Sequence, residues 1–414
     1  MKENKLDTKK ILLLSFGFFA SSLAWSIYNS YVPLILERLL GSAMLIGLLM
    51  AMDNVFGVIF QPLFGRWSDR TRTRFGRRMP YIIVGIPVCA VAFVLIPRMP
   101  SLWTLIPVLV VFCFVMSVWR SPVVSLMPDI TPGPFRSQAN GIVNLMGGIG
   151  SLIAFLVGGM LFNLGGFPLP FLTSAILMLA ALAVLVLFVR EPRQAYDPDE
   201  PLAKSTEKLT GAELNSLLLI LFGVFFWFCG YNAIETFFTL YATSTLEVRP
   251  GTATMMLALF SLTFIAFAVP AGLIGARIGR RRTILIGLTG IFALFLPLIF
   301  VHNLYVTGAC LFLGGVFWAC VNINSLPMVV RLGGDNKVGT YIGYYYFFSF
   351  AAQIASPIIF GLVVDHLAGG RYAILFPYAC LTFALALACL FFVRHGEDLR
   401  ETTSATEILD GLDG

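Results

Sequence analysis

Long apolar runs alternate with short polar segments along the whole chain. A transmembrane α-helix needs roughly 20 apolar residues, whereas barrel strands are about half as long and alternate residue by residue. The short connections between the runs favour antiparallel neighbours. The pattern therefore predicts an all-α membrane protein with twelve transmembrane helices. They are expected at residues 11–36, 44–65, 81–97, 102–127, 138–162, 168–190, 214–243, 252–275, 283–301, 304–330, 338–364 and 372–394.

One longer polar stretch separates six runs from six. Its sequence, EPRQAYDPDEPLAKSTEKLTGA, is rich in proline and charge, which is typical of a linker. The predicted organisation is an N-terminal six-helix bundle, a cytoplasmic linker, a C-terminal six-helix bundle and a cytoplasmic tail. These regions are residues 1–190, 191–212, 213–394 and 395–414.

The lysines and arginines predict the orientation in the membrane. With a cytoplasmic N-terminus, 23 of the 28 basic residues fall in inner segments, one lies within a span, and four lie in outer loops: Arg38, Arg98, Arg249 and Arg371. Inner loops of membrane proteins carry the excess of positive charge, so both termini are predicted to be cytoplasmic. The first run is longer than the apolar core of a signal peptide and lacks a cleavage site, so we expect it to be retained.

Composition and chemistry narrow the function classes. Charged residues make up 12% of the chain, against about 25% in soluble proteins. The net charge of +6 comes from loop residues, so no nucleic-acid partner is expected. The seven cysteines lie in apolar runs and the three histidines at span ends, without metal-ligand spacing. With no catalytic pair or phosphate loop either, we expect no enzyme activity, no metal and no cofactor.

The two halves repeat the same signals. The segment G-R-W-S-D-R-T-R-T-R-F-G-R-R at Gly65–Arg78 follows the second run, and G-A-R-I-G-R-R-R at Gly275–Arg282 follows the eighth. A second echo pairs S-L-M-P-D at Ser125–Asp129 with S-L-P at Ser325–Pro327. Two bundles related by pseudo-two-fold symmetry are the plan of the major facilitator fold, with the substrate site at the midplane between them.

The first of these loops has the chemistry of a gate. Glycines allow helix ends to approach closely, and a carboxylate accepts from arginines or from a helix N-terminus. Such contacts can latch one access state; the simpler alternative, which suits Arg72 and Arg74, is that the arginines only fix the topology. The candidate gating residues are Gly65, Asp69, Arg70, Gly76, Arg77, Arg78, Asp129 and Arg136.

Several of these segments carry a family resemblance. They are G-x-x-x-Q-P-L-x-G at Gly57–Gly65, S-D-R at Ser68–Arg70, R-F-G-R-R-x-P at Arg74–Pro80, R-S-Q-A-N-G at Arg136–Gly141 and F-W-F-C-G-Y-N-A-I-E-T-F-F at Phe226–Phe238. The chain resembles the sucrose-transporter branch of the glycoside–pentoside–hexuronide:cation symporters, and in particular its bacterial members. The resemblance implies uptake of a sugar or glucoside, such as sucrose or maltose, driven by protons or sodium across a bacterial inner membrane. Asp53 stands where the plant members have glycine.

Three charged residues fall clearly within spans, away from the span ends: Asp53, Arg120 and Glu235. A charge inside the bilayer is costly, so each is expected to face a partner or a cavity. Asp53 and Arg120 differ in depth by roughly 8 Å at 1.5 Å per residue, which a long arginine can bridge. They form either a fixed ion pair or a proton-switchable pair that couples transport. Glu235 is a second coupling candidate, or a glutamate hydrogen-bonded to Asn232 or to a neighbouring helix.

Aromatic and amide side chains occur together on spans one, four, seven and ten, which surround the cavity by fold analogy. Rings stack on the C–H faces of sugars, and amides bond sugar hydroxyls, although any one of these aromatics can simply be a packing residue. Only one of the two asparagines on span ten can point inward, because they do not share a helical face. The candidate substrate-binding residues are Trp25, Tyr28, Asn29, Trp119, Tyr231, Asn232, Trp318, Asn322 and Asn324.

Together with the resemblance, the residues predict a secondary active transporter that imports a sugar with a proton, or with sodium, by alternating access. Two alternatives remain: an exporter or antiporter of sugars or drug-like compounds, and a membrane sugar sensor that does not transport. The expected partners are the sugar, the cation and the lipid bilayer, and we expect a monomer.

Overall fold

The computed structural model describes residues 7–132, 135–189, 191, 211–332 and 338–393. This part of the chain forms twelve helices that are long and apolar enough to cross a membrane, and it contains no β-sheet. The predicted all-α class and the number of spans are therefore confirmed. The helices of the first half are α1 (Thr8–Leu40), α2 (Ala43–Arg70), α3 (Met79–Leu95), α4 (Leu102–Ile130), α5 (Arg136–Gly165) and α6 (Pro168–Phe188).

The second half continues the same plan. Its helices are α7 (Gly211–Thr245), α8 (Pro250–Ile278), α9 (Arg280–Phe295), α10 (Leu304–Leu332), α11 (Val338–His366) and α12 (Leu375–Phe391). Short 3₁₀ turns extend α3 through Arg98 and α9 through Ile299, and another precedes α12 at Tyr372–Ile374. Residues 192–210 of the predicted linker and the whole predicted tail lie outside the described residues.

Several helices continue beyond the apolar runs into polar sequence. The helix α2 ends at Arg70, five residues past the predicted end, and α1 begins at Thr8. The Asp7 carboxylate caps α1 by accepting from the backbone N–H of Lys10 at 3.0 Å. Side-chain caps supply partners that the first turn of a helix lacks, so the helix can extend past the apolar stretch.

The chain divides into two compact units. The first unit falls within Met1–Glu200 and Thr236–Ala258, and the second falls within Pro201–Glu235 and Leu259–Gly414. In the first unit, α1 packs on α5 and α6, and α4 packs on α2 and α3. In the second unit, α9 packs on α10 and α12. The division predicted from the sequence, with boundaries at 190 and 213, stays a prediction.

Glycines set the closest helix contacts in the first unit. A Cβ on Gly150 would lie 2.5 Å from the Phe19 carbonyl oxygen, and one on Gly85 would lie 2.6 Å from the Cβ of Trp119. Small residues let membrane helices approach until their backbones touch, which replaces the hydrophobic driving force absent in lipid. These contacts fix α1 against α5 and α3 against α4.

Candidate functional site

The side chain of Arg78 ties α2, the α2–α3 loop and α4 together. It is 5% exposed, and its Nε donates to Asp129 Oδ2 at 3.0 Å. Its Nη1 donates to the Gly65 carbonyl at 3.1 Å and to Ser68 Oγ at 2.5 Å, and its Nη2 pairs with Asp69 Oδ1. Arginine suits this place because its planar guanidinium carries five donors in a fixed geometry.

Glu191, three residues after the end of α6 and the first residue of the predicted linker, completes the cluster. Its Oε2 accepts from the backbone N–H groups of Arg78 at 2.9 Å and Met79 at 3.3 Å, at the start of α3. Its Oε1 lies 3.5 Å from Arg77 Nε. The Nη2 atom of Arg77 also pairs with Asp129 Oδ1 at 2.7 Å. The Glu191 side chain is 1% exposed, so a carboxylate is buried against a helix N-terminus, where negative charge is stabilised. Sequence reasoning missed this residue.

Gly76 makes the turn that brings the arginines to the carboxylates. Its φ of 113° is rarely adopted by other residues, and a Cβ there would overlap the Glu191 carboxylate. Of the predicted gating residues, the structure brings together Gly65, Asp69, Gly76, Arg77, Arg78 and Asp129. Arg70 is exposed at the end of α2, and Arg136 is the first residue of α5.

The corresponding loop of the second half uses a different acceptor. Gly279 turns the chain with a φ of 98°, and the Arg281 guanidinium donates to the carbonyls of Leu390 at 3.1 Å and Phe391 at 2.9 Å. The last carbonyls of a helix carry partial negative charge. The end of α12 thus holds an arginine in the first turn of α9, as Glu191 holds the arginines of the α2–α3 loop.

Asp53 is half-buried on α2 and is surrounded by polar groups. Its Oδ1 accepts from the backbone N–H of Asn54 at 2.5 Å and from the Asn54 amide at 2.7 Å. Its charge also acts on Tyr28, Cys113 and the half-buried Arg120. The hydroxyl of Tyr28 lies 3.7 Å from the Cys113 sulfur. The structure therefore places an acid and an arginine of the first unit within electrostatic reach, beside a tyrosine.

Aromatic rings line the α1 side of this group. The Trp25 and Tyr28 rings meet edge to face at 5.4 Å, and Tyr28 stacks on Phe112 of α4 at 5.2 Å. Trp25 is half-buried and Tyr28 fully buried, so the indole is the more accessible ring. Trp119, which was predicted with them, is fully buried where α4 packs on Gly85 of α3.

A second aromatic group lies in the other unit. Tyr231 of α7 and Trp318 of α10 stack with centroids 4.5 Å apart and planes 3° from parallel. The Asn232 amide donates to the Phe228 carbonyl at 2.7 Å. Glu235, one turn after Tyr231 on α7, is half-buried and its charge acts on the tyrosine. A stacked aromatic pair beside a carboxylate offers both an apolar face and a hydrogen-bond acceptor.

The asparagines of α10 and α1 differ in their surroundings. The Asn324 amide is buried and donates at 3.0 Å to the carbonyls of Ala271 and Cys320. Asn322 is half-buried, as is Asn29 on α1. Within the described ranges, no three His, Cys, Asp or Glu side chains are grouped to hold a metal ion.

Comparison with known proteins places the chain in a family. The model of the Major Facilitator Superfamily matches residues 14–248 and 241–411. The chain belongs to the Major Facilitator Superfamily. It is therefore a multi-pass membrane protein of a transporter family.

Its relatives include transporters of different kinds. The class H tetracycline resistance protein of Pasteurella multocida is 22% identical over 357 residues, covering 84% of this chain and 86% of that protein. A sucrose transport protein of Arabidopsis thaliana is 25% identical over 126 residues, covering 25% of this chain and 21% of that protein. The solved structure of a bacterial homolog of the human lysosomal transporter Spinster, inward-facing and occupied, has a TM-score of 0.70 at 14% identity and covers 97% of both chains. This likeness confirms the major facilitator fold.

Proposed function

We propose that the protein is a proton-coupled symporter that imports a sugar or glucoside, such as sucrose or maltose, by alternating access. The observation that carries the proposal is the group of Asp53, Arg120 and Tyr28. A proton-driven carrier needs a membrane-embedded acid whose protonation changes its interaction with a partner. When Asp53 takes up a proton, its attraction for Arg120 is lost and the guanidinium becomes available to the substrate or to another acceptor.

The second aromatic group supports a sugar as the substrate. A pyranose or furanose ring presents C–H faces that suit the stacked rings of Tyr231 and Trp318. Its hydroxyls need acceptors and donors, which Glu235 and Asn232 can supply. The local similarity to a sucrose transport protein supports the same substrate class and a place in the sucrose-transporter branch.

The arginine cluster is proposed to be the gate. Arg78 holds α2, α4 and the loop by contacts that all depend on one guanidinium. Such a cluster has two discrete arrangements, intact or broken, and a free-energy difference of a few kcal/mol sets their populations. We propose that it is made in one access state and opens in the other, with the loop and both termini on the cytoplasmic side of a bacterial inner membrane.

A proton-driven exporter is the second candidate. It is favoured by the tetracycline resistance protein, whose similarity spans 84% of this chain. An antiporter would use the same acid with the opposite coupling, because substrate would leave as protons enter. Aromatic groups would serve an amphipathic drug as well as a sugar.

Transport by the purified protein in proteoliposomes distinguishes the proposed symporter from the exporter and from the other candidate functions. Labelled mono- and disaccharides and tetracycline are offered under imposed pH gradients. A symporter accumulates its substrate when the external medium is the more acidic side, whichever way the protein has inserted. An antiporter accumulates it when the lumen is more acidic, a sodium-coupled carrier responds to a sodium gradient instead, and a sensor binds without accumulation.

A further inference from the structure

An apolar groove of about 460 Å³ lies between α3 and α4 in the first unit. Pro87, Val91 and Leu95 line it from α3, and Pro107 and Val111 from α4. Their spacing of four residues places each set on one face of its helix, so the groove runs along both helices. A groove of this size and apolar character fits a hydrocarbon chain.

The groove is open along its length. The Val91 side chain is 62% exposed, and Val111 is exposed as well. The residue after Val111, Phe112, is fully buried and stacks on Tyr28 of α1. Neighbours on a helix point about 100° apart, so the groove lies on a different face of α4 from the Asp53 group.

A cation lies at one end of the groove. Arg98 follows Leu95 by three residues, which places it on the same face of the helix, and it is exposed. Within the described part of the chain, its guanidinium donates to the Val94 carbonyl at 2.5 Å, and further N–H groups remain for a ligand. No aspartate or glutamate occurs between residues 71 and 128, so neither helix supplies a carboxylate at this end.

An aromatic side chain lies beside that cation in the sequence. Trp103 is the second residue of α4, and it is 88% exposed. Exposed tryptophans at span ends typically lie at the level of lipid headgroups. Arg98 and Trp103 therefore lie at the ends of the two helices that form the groove, at headgroup depth.

We propose that the groove binds one acyl chain of an anionic phospholipid, with its phosphate on Arg98 and its glycerol region beside Trp103. A zwitterionic lipid brings its own ammonium group to the same place, so an arginine at the ends of two helices that carry no acidic residue there favours the anionic headgroup. The site is independent of the transported substrate.

The test measures contact between the lipid and Trp103. The full-length protein is placed in phosphatidylcholine nanodiscs with increasing fractions of phosphatidylglycerol that is brominated on the acyl chain near the headgroup. Bromine quenches a tryptophan that it touches, and the Trp103 signal is the difference between the native protein and Trp103→Phe. We expect saturable quenching at about a fivefold lower fraction of brominated phosphatidylglycerol than of brominated phosphatidylcholine.

Two variants locate the site, each with a matched control. Arg98→Gln should abolish the preference for phosphatidylglycerol, whereas Arg371→Gln, which removes an exposed arginine in the other unit, should keep it. Val91→Phe should fill the groove and reduce quenching by both lipids. Val84→Phe changes a valine of the same helix with 65% exposure that does not line the groove, and it should have no effect.

Three results would overturn the proposal. Equal quenching by the two brominated lipids in the native protein would mean ordinary contact with surrounding lipid. A preference that survives Arg98→Gln would remove the proposed headgroup contact. A disulfide-linked dimer formed through Val91→Cys would assign the groove to a second copy of the chain.

Discussion

Replacing Arg78 by lysine tests how the arginine cluster is held. The guanidinium contacts two carboxylates, Asp69 and Asp129, and two neutral acceptors, Ser68 and Gly65. A lysine has one nitrogen on a flexible stem and cannot reach all four at once. If it keeps one carboxylate, the cluster loses one charge-assisted bond of about 1.5–3 kcal/mol and at least one neutral bond of about 0.5–1.5 kcal/mol.

The expected loss is therefore about 2–4.5 kcal/mol, which lowers the ratio of intact to broken cluster by roughly 30- to 1600-fold. Asp129 keeps its ion pair with Arg77, so the variant leaves no buried carboxylate without a partner. The helices should still fold, and the effect should appear in the opening of the proposed gate.

Hydrogen–deuterium exchange and transport rate measure this effect together. Exchange at the backbone N–H groups of Arg78 and Met79, which bond Glu191, should become faster in Arg78→Lys, and transport should slow. Arg72→Lys is the matched control, because within the described residues the exposed Arg72 donates to the backbone carbonyls of Asp69 and Thr71 and not to a carboxylate. Native exchange together with a native transport rate in Arg78→Lys would mean that the Arg78 guanidinium does not hold the cluster closed.

Three further predictions concern the Glu191 cap, the orientation in the membrane and the Trp318 ring. Glu191→Gln keeps an oxygen for both backbone N–H groups and should lower the free energy of unfolding by about 1 kcal/mol, whereas Glu191→Ala should lower it by about 2–4 kcal/mol. Thermal unfolding in detergent measures both losses, and equal losses would contradict the capping role. In intact cells, an impermeant thiol reagent should label Tyr305→Cys but not Phe75→Cys, and the reverse pattern would invert the orientation. Trp318→Leu should weaken sugar binding at least roughly tenfold in a titration while Trp67→Leu, at an exposed tryptophan, should not, and equal affinities would remove the stacked pair from the substrate site.

The sequence predicted the spans because their length and apolar character follow directly from the thickness of the bilayer. It placed helix ends less well, since α2 continues five residues through polar sequence to Arg70. Hydropathy falls at the membrane surface, whereas the backbone hydrogen bonds of a helix continue until a cap or a turn ends them.

Glu191 shows where reasoning from local sequence stops. It begins a polar, proline-rich stretch that reads as a linker, and its partner Arg78 is 113 residues away. The one available signal was an acid immediately after a span on the side predicted to hold most arginines. The residues of the arginine cluster were easier to find, because Asp69, Arg77 and Arg78 lie within one motif.

Trp119 illustrates a limit of span-based assignment. The sequence groups it with the candidate substrate residues because α4 is expected to line a cavity. Trp119 and Arg120 are adjacent, and consecutive residues point about 100° apart, so they face different neighbours. Arg120 lies within electrostatic reach of Asp53, while Trp119 packs on Gly85 of α3. A helix that is apolar on nearly every face carries little sequence information about its rotation.

The most direct test of the proposed coupling is Asp53→Asn in proteoliposomes, with exchange and accumulation measured on the same preparation. Exchange of labelled for unlabelled sugar needs no net proton movement, so the variant should retain it. Accumulation driven by a pH gradient requires an acid that binds and releases the proton, so the variant should lose it. If Asp53→Asn still concentrates sugar against its gradient, Asp53 is not the coupling acid and the proposed coupling mechanism is wrong.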